Sequence, residues 1–221
     1  DTDYVRKDFG KQFGSYSEYS ETKPSDEVSS ITRYKGYYIG RYEAGDGVST
    51  TAQKMRDGSE GTTNAVTVKK GQAPYNCVTR DEAKTLAEGI KSANNYTGIT
   101  ASKLCSSYAW DTALTFIDKT VSNYSMNSTQ GNYKDLSFTY KDMSGTSQTK
   151  AANTLIPTGA TTAVCNIYDM GGNVFEWTTE AYSGPFFPCV GRGGNYYDVS
   201  SDGPAGDRIG VDTTISDGDI G

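Results

Sequence analysis

The 221-residue sequence contains no histidine. This absence removes the usual general base, the Ser-His-Asp and Cys-His arrangements of nucleophilic catalysis, and zinc or iron sites with imidazole ligands. The four cysteines, Cys77, Cys105, Cys165 and Cys189, are too widely spaced for a C-x-x-C zinc pattern, and we expect at least two of them to be small buried thiols or chance products of codon choice. No apolar run approaches the roughly 18 residues of a membrane span, so no membrane insertion is expected.

Positive charge is also scarce. The formal net charge is −6, and no basic run is longer than Lys69-Lys70. Phosphate contacts need a basic surface, so we expect no nucleic-acid partner. Acidic pairs such as Asp217 and Asp219 are plentiful, but carboxylates in a polar, glycine-rich segment are more often solvated than catalytic. Since no EF-hand spacing is present either, we expect no catalytic pair, no metal site and no cofactor.

The last 41 residues, 181–221, lack Lys, Glu, Gln, Met and Trp, although they contain six Asp. The first 180 residues contain 34 residues of these five types, so about eight would be expected in 181–221 if the composition were uniform. None of the five types is encoded by a codon ending in C. By contrast, Phe, Tyr, Asp, Gly, Val, Ile and Ser can each be reached from the Asn codon AAC by replacing its adenines. This composition is therefore typical of Asn codons randomised at both adenines.

Two helices are predicted in the first half of the chain. Thr79 and Glu82 match a capping box, and apolar residues recur at i, i+3, i+4 and i+7 from Ala83. A second helix is predicted to begin at residue 106 or 107 and to end near 119, because the same apolar spacing starts at Trp110. Both apolar stripes indicate packing in the core and no chemistry.

The remaining pattern predicts short strands and long loops. Residues 33–44 alternate between two faces and predict a strand, in which Arg41 and Glu43 are expected to form a structural pair rather than a catalytic one. Further short strands are predicted near 65–70 and 136–140. The polar stretches between these elements are typical of surface loops.

The two ends of the chain differ in character. Residues 1–32 are polar and rich in Ser, Tyr and Glu. This is typical of an N-terminal arm or linker that either packs on the domain or connects it to a larger assembly, such as a homo-oligomer or a virion. Residues 163–177 contain the apolar residues that a buried strand needs, interrupted by a Gly171-Gly172 turn. The domain itself is expected over 33–221.

Several short motifs resemble known proteins. The run 169–177 (DMGGNVFEW), followed by 192–196 (RGGNY), resembles the formylglycine-generating enzyme, or sulfatase-modifying factor, version of the C-type lectin fold. Together with 38–44 (YIGRYEA), Pro204-Ala205 and Ile220-Gly221, these runs also look like the variable proteins diversified by retroelements of phages and bacteria. The resemblance covers roughly residues 34–221, which is most of the chain, and the motifs are specific when taken together.

The resemblance implies an α+β, C-type-lectin-like fold in which two helices pack on small antiparallel sheets with long loops. In the variable proteins, an error-prone reverse transcriptase mutates template adenines, and the diversified codons lie on the ligand-facing surface. The variable ligand-binding region is then expected at about 181–221. The expected ligand-binding positions are Phe186, Phe187, Gly191, Tyr197, Asp198, Val199, Asp202, Gly203, Asp207, Ile209, Gly210, Val211, Asp212, Ile215, Asp217, Gly218 and Asp219. The expected structural positions are Asn173, Glu176, Trp177, Arg192 and Arg208.

The same resemblance bears on catalysis. Formylglycine-generating enzymes use a cysteine pair expected after the Arg-Gly-Gly motif, whereas here Cys189 precedes Arg192 and no thiol follows. The iron-dependent enzymes of this fold need histidine ligands. We therefore expect the chain not to be an enzyme.

The expected function is binding of a protein or glycan ligand on a bacterial cell surface. The expected setting is a phage virion, as a tail or receptor-binding component, or a bacterial surface. A virion structural or decoration protein is the first alternative, and a sulfatase-modifying-type oxidase is the less favoured second one.

Overall fold

Two of the three helices begin where the sequence predicts a capping side chain. The computed structural model describes residues 4–47, 55–63 and 65–221. In it, the Thr79 hydroxyl accepts from the Glu82 amide, and the Thr79 amide donates to the Glu82 carboxylate over 2.9 Å. The Ser106 hydroxyl accepts from the Ala109 amide over 3.0 Å. Both predicted helices are confirmed, with a further helix before them. The helices are α1 (Ser25–Tyr34), α2 (Arg80–Ala93) and α3 (Ser107–Asp118).

The prediction of a strand over 33–44 is wrong. The helix α1 occupies its first residues and ends at Lys35, whose φ of 64° is left-handed. In the part of the chain that the structure describes, no strand pairs along the rest of this segment. Its backbone instead makes single hydrogen bonds, from the Tyr168 amide to the Arg41 carbonyl and from the Tyr75 amide to the Ala44 carbonyl. The alternation arises because successive side chains contact different neighbours.

A four-stranded antiparallel sheet lies at the centre of the fold, with strand order β1-β6-β7-β8. Two ribbons of two strands, β2-β3 and β4-β5, complete an α+β architecture. β3 and β4 confirm the short strands predicted near 65–70 and 136–140. The strands are β1 (Tyr19–Ser20), β2 (Gly45–Asp46), β3 (Val66–Thr67), β4 (Thr139–Lys141), β5 (Ser147–Thr149), β6 (Glu176–Tyr182), β7 (Cys189–Arg192) and β8 (Arg208–Val211).

The end of the described chain runs beside the start of β6. The Phe175 amide donates to the Asp219 carbonyl over 2.7 Å, and the Gly221 amide donates to the Phe175 carbonyl over 2.9 Å. The predicted core strand over 163–177 is therefore regular only at its end, where β6 begins at Glu176. Before that point the chain makes turns, which the glycines at 171 and 172 permit.

The segment predicted as an N-terminal arm packs on the domain from residue 4 onward. Tyr4, Phe9 and Tyr19 are buried, and β1 pairs with β6 through Tyr19 and Tyr182. The expected boundary at residue 33 therefore does not separate two structural units. Packing on the domain is one of the two arrangements that the sequence left open for this segment, whose isolated apolar residues each enter a separate contact.

The helix α3 is connected to the sheet by buried opposite charges. Asp111 of α3 and Glu180 of β6 accept from Arg192 of β7, with distances of 2.8 and 3.4 Å. Arg208 of β8 pairs with the same two carboxylates, 3.1 Å from Glu180. All four side chains are fully buried, and the half-buried Arg6 adds a third cation at Glu180. We call Asp111, Glu180, Arg192 and Arg208 the buried ion network.

Removing one carboxylate from this network should strongly destabilise the domain. In Asp111→Ala, both arginines lose a partner while remaining buried, so we expect the free energy of unfolding to fall by about 3–5 kcal/mol. Urea denaturation followed by far-UV circular dichroism measures this change. Asp26 forms an exposed pair with Lys103, so Asp26→Ala should cost under about 1 kcal/mol. Equal losses of unfolding free energy in the two variants would contradict the assignment of Asp111 to a stabilising buried ion network.

Candidate functional site

The predicted ligand-binding positions differ in their access to solvent. Five are exposed, and ten more are partly accessible. Gly191 and Gly203 are buried and present nothing to a ligand. A Cβ atom at Gly203 would lie 2.7 Å from the Asp198 carboxylate, so this position also has no room for a side chain. For these two glycines the sequence-based expectation of ligand contact is wrong. The exposed positions are Phe186, Phe187, Tyr197, Asp202 and Asp217.

Part of the predicted set contributes to the core instead. Ile209, Val211 and Ile215 pack against a buried cluster that includes Phe175 and Trp177. Their expected role in ligand binding is therefore reduced to the part of each side chain that solvent reaches. For Ile209 and Val211 the reason is that the alternation of β8 directs them toward the same apolar layer as β6, whereas Ile215 reaches this layer from the segment after β8.

Asn195 connects two loops that are distant in sequence. Its amide donates to Asp198 and its side-chain amide donates to Asp219, each over 2.9 Å. The Tyr197 amide donates to the Asn195 side-chain oxygen over 2.7 Å, and the Tyr196 and Tyr197 rings lie 4.2 Å apart. Asn195 was not among the predicted site residues, although it lies inside the RGGNY motif.

These bonds place an acidic and aromatic surface at one end of the domain. We call it the acidic-aromatic face and define it by Tyr197, Asp198, Asp202, Asp217 and Asp219. Burial raises the pKa of Asp198, and the nearby carboxylates of Asp219 and Asp202 add to the effect. Burial also raises the pKa of Asp219, with a contribution from Asp217. The carboxylates are therefore close enough to act on one another.

A second group of predicted positions lies at the turn between β6 and β7. Phe186 and Phe187 are 73% and 47% exposed. A Cβ atom at Gly210 would lie 2.7 Å from the Tyr182 ring and 3.2 Å from Phe187, so any larger residue there would have to displace an aromatic side chain. Asp207, also predicted, has its pKa raised to about 7 by burial. The five exposed predicted positions thus lie in two segments, Phe186 and Phe187 at the β6–β7 turn and Tyr197, Asp202 and Asp217 in the acidic-aromatic face.

Two of the three residues of the DMGGNVFEW motif that were expected to be structural, Asn173 and Trp177, have interior hydrogen-bond partners. Asn173 is buried; its side-chain oxygen accepts from Asn132 over 2.8 Å, and its amide donates to Glu43. The Trp177 indole donates to the Val78 carbonyl over 2.9 Å. Glu43 therefore pairs with Asn173, whereas the sequence predicted a structural pair with Arg41.

Three carboxyl groups lie together inside the domain. Burial raises the pKa of Glu43 and of Glu176 well above the usual value, and mutual repulsion among these groups and Asp169 adds to it. Burial raises the pKa of Asp169 to about 6 despite hydrogen bonds from Thr161 and the Gly159 amide. The sequence did not indicate this group, because its members lie in separate segments and only the fold brings them together.

The cysteines do not form a reactive pair. All four are free thiols, and burial raises the pKa of the Cys105 thiol to about 12. Burial also raises the pKa of Cys77 and Cys189. Among the described residues, no group of three or more Cys, Asp or Glu side chains is arranged to hold a metal ion.

Asp169 should make the domain less stable as the pH rises. Its pKa in the folded state is above the unfolded value, so its stabilising effect is present below about pH 4 and is lost as the pH rises through about 6. The loss amounts to about 3 kcal/mol for a shift of this size. We expect Asp169→Asn to remove this dependence, as measured by urea denaturation between pH 4 and 7.

A surface carboxylate provides the control with the opposite sign. Hydrogen bonds from Ser144 and Gln148 lower the pKa of Asp142 to about 2. Its stabilising effect is therefore present above about pH 4 and is lost as the pH falls toward 2. Asp142→Asn should leave the profile between pH 4 and 7 unchanged. A parallel profile for Asp169→Asn and the wild type would show that Asp169 titrates normally.

Comparisons with known proteins identify one family. A search of curated proteins and a search of solved structures gave no match. Among the described residues, none of the helices is both long and apolar enough to cross a membrane. The family model for the sulfatase-modifying factor enzyme 1-like domain matches residues 12–221, which include much of the segment expected to be an arm. Because this match covers most of the chain, the protein belongs to the family of sulfatase-modifying factor enzyme 1-like domains.

Proposed function

We propose that this domain is a ligand-binding protein with a C-type-lectin-like fold, whose binding surface is diversified by a retroelement. The observation that carries the proposal is the coincidence of two features in 181–221. Its residue types are those reached from AAC codons, and its exposed positions include the two surface groups described above. The expected setting is host recognition by a phage or display on a bacterial surface, with a protein or glycan ligand.

The charge of residues 181–221 supports a binding role and indicates the charge that a complementary ligand would carry. Residues 181–221 contain six Asp and only two cations, Arg192 and Arg208. Both arginines are fully buried in the buried ion network. The charged groups that this segment offers to solvent are therefore all carboxyl groups, so ligands with basic groups are favoured and nucleic acids are not.

The side chains of the surface are those of a rigid binding site. Tyr197 is half exposed and stacks near Tyr196, so it offers contact area with few rotamers to immobilise. The loop that carries it is fixed by the hydrogen bonds of Asn195. A surface ordered before binding loses less entropy when the ligand arrives.

The residue chemistry favours binding over oxidation of a substrate thiol. An oxidase of the sulfatase-modifying type would need an activated cysteine pair, but the pKa of Cys77, Cys105 and Cys189 is raised. This second reading is tested by assay for thiol-dependent oxidation and copper binding. A clear activity that is lost in Cys189→Ser would replace the binding proposal.

The coding DNA tests diversification directly. We expect the codons of the exposed predicted positions to end in C, and a near-copy of this stretch to lie nearby with AAC at those places, beside a reverse-transcriptase gene. Sequencing the gene and its flanks supplies the answer. Mixed third bases without a near-copy would refute diversification and favour a virion structural or decoration protein, whose C-terminal surface is buried in a symmetric assembly.

Binding through the acidic-aromatic face is tested by selection and mutation. A displayed random-peptide library and a glycan array serve as probes, and the ligands that bind the wild type are titrated against Tyr197→Ala. We expect at least a tenfold loss of affinity, because a central aromatic contact contributes about 2 kcal/mol or more. Tyr38 is 88% exposed and lies outside 181–221, so Tyr38→Ala should bind normally. Equal binding by both variants would refute this location.

A further inference from the structure

A cavity of about 180 Å³ lies between α2, α3 and the start of β6. Leu86 and Ile90 of α2, Trp110 of α3 and Trp177 of β6 supply apolar walls. Gly40 and Lys103 also line the cavity and are exposed, so they mark its entrance. A cavity of about 150 Å³ with apolar walls accommodates a benzene ring, so this one has room for a ligand of about that size.

The cavity is not uniformly apolar, because Glu43, Asp169 and Glu176 also line it. Asp169 is satisfied by Thr161 and the Gly159 amide. Glu43 is 8% exposed, and only one of its carboxyl oxygens is engaged, by Asn173. Among the described residues, nothing hydrogen-bonds Glu43 Oε2 or Glu176 Oε2. A buried carboxyl oxygen without a hydrogen-bond partner is unfavourable, and a donor on a ligand would supply that partner.

The charges around the cavity favour a cationic donor. Three carboxyl groups face one lining cation, Lys103, whose ammonium is paired with Asp26 and Glu27 over 2.9 and 2.7 Å. Two other cations lie nearby: Lys70, whose ammonium is 5.2 Å from the Tyr168 ring centre, and Arg192, which is already paired with Asp111 and Glu180. The aromatic walls add a favourable surface for a positive charge.

We propose that this cavity binds a small primary amine with an apolar body. The ammonium group would donate to Glu43 Oε2, and the apolar body would lie between Leu86 and Trp177. Burial keeps the pKa of Glu43 high, so the carboxyl group releases a proton to solvent when the ammonium binds. This site is separate from the acidic-aromatic face and does not depend on the function proposed for that face.

Three probes of similar shape test the proposal: benzylamine, benzyl alcohol and toluene. Affinities for the whole domain are measured by ligand-observed NMR and by isothermal titration calorimetry. We expect benzylamine to bind at least about tenfold more tightly than the two neutral probes, since a charge-assisted hydrogen bond is stronger than a neutral one. Calorimetry in buffers of different ionisation enthalpy should report the release of about one proton per benzylamine bound.

Variants distinguish the effect of the Glu43 carboxylate from the effect of the cavity volume. Glu43→Gln keeps the acceptor for Asn173 and should reduce the preference for benzylamine to within about twofold. Ala87 lines the cavity, so Ala87→Leu should abolish binding of all three probes. Glu88→Gln, an exposed change on the same helix, should change nothing. Circular dichroism shows whether each variant is folded. If Glu43→Gln does not fold, Ala87→Leu still tests whether the probes bind in this cavity.

Three results would overturn the proposal. The first is that the wild-type domain binds none of the probes, which would mean that ordered water or movement of the walls fills the cavity. Equal binding of toluene and benzylamine, or a benzylamine preference that survives in Glu43→Gln, would show that Glu43 does not select an amine. Failure of the Tyr197→Ala test would leave this proposal intact, because Tyr197 lies on the acidic-aromatic face and not in the cavity.

Discussion

The structure depends on charges that are buried together between one helix and three strands. Asp111 and Glu180 hold Arg192 and Arg208 where solvent reaches none of them. A buried ion that loses its partner costs several kcal/mol, so α3 and the strands β6, β7 and β8 must pack in a single register. Apolar contacts alone would tolerate small shifts more easily. The ion pairs therefore specify the position of the helix relative to the sheet, and apolar side chains pack the space between them.

The turn after the buried ion network determines where the acidic-aromatic face lies. Arg192 ends β7, and Gly193 and Gly194 follow with φ values of 89° and 70°. A Cβ atom at Gly194 would lie 1.8 Å from the Gly203 carbonyl oxygen, so only glycine permits this approach of the two backbones. The approach places Asn195 where it connects the loop to Asp219. A rigid scaffold thus carries a surface whose exposed side chains can change without disturbing the network.

Two sets of carboxyl groups have opposite roles in this domain. Those of the acidic-aromatic face reach solvent and give it a single sign of charge. Glu43, Asp169 and Glu176 are enclosed, and burial raises the pKa of each. Enclosed acids that repel one another are costly for folding. Recognition of a positively charged group, which we propose for the cavity beside them, would be a physical reason to keep them.

The sequence by itself determined the features that depend on neighbouring residues. The capping box at Thr79, the helix beginning after Ser106 and the short strand at Val66 follow from local hydrogen bonding and periodicity, and the structure has all three. The motifs 169–177 and 192–196 likewise indicated the family. The helix α1 was missed because its sequence is mostly polar and lacks a capping side chain.

Only the tertiary structure decided which distant residues meet. Nothing in the local pattern at Arg192 or Arg208 shows that their partners are Asp111 and Glu180, and nothing near Glu43 shows that it pairs with Asn173. Burial of the predicted position Gly191 was equally invisible, since it results from packing of other segments over β7. Local sequence encodes turns, caps and periodicity, whereas long-range pairing and burial are set by the simultaneous packing of all the elements.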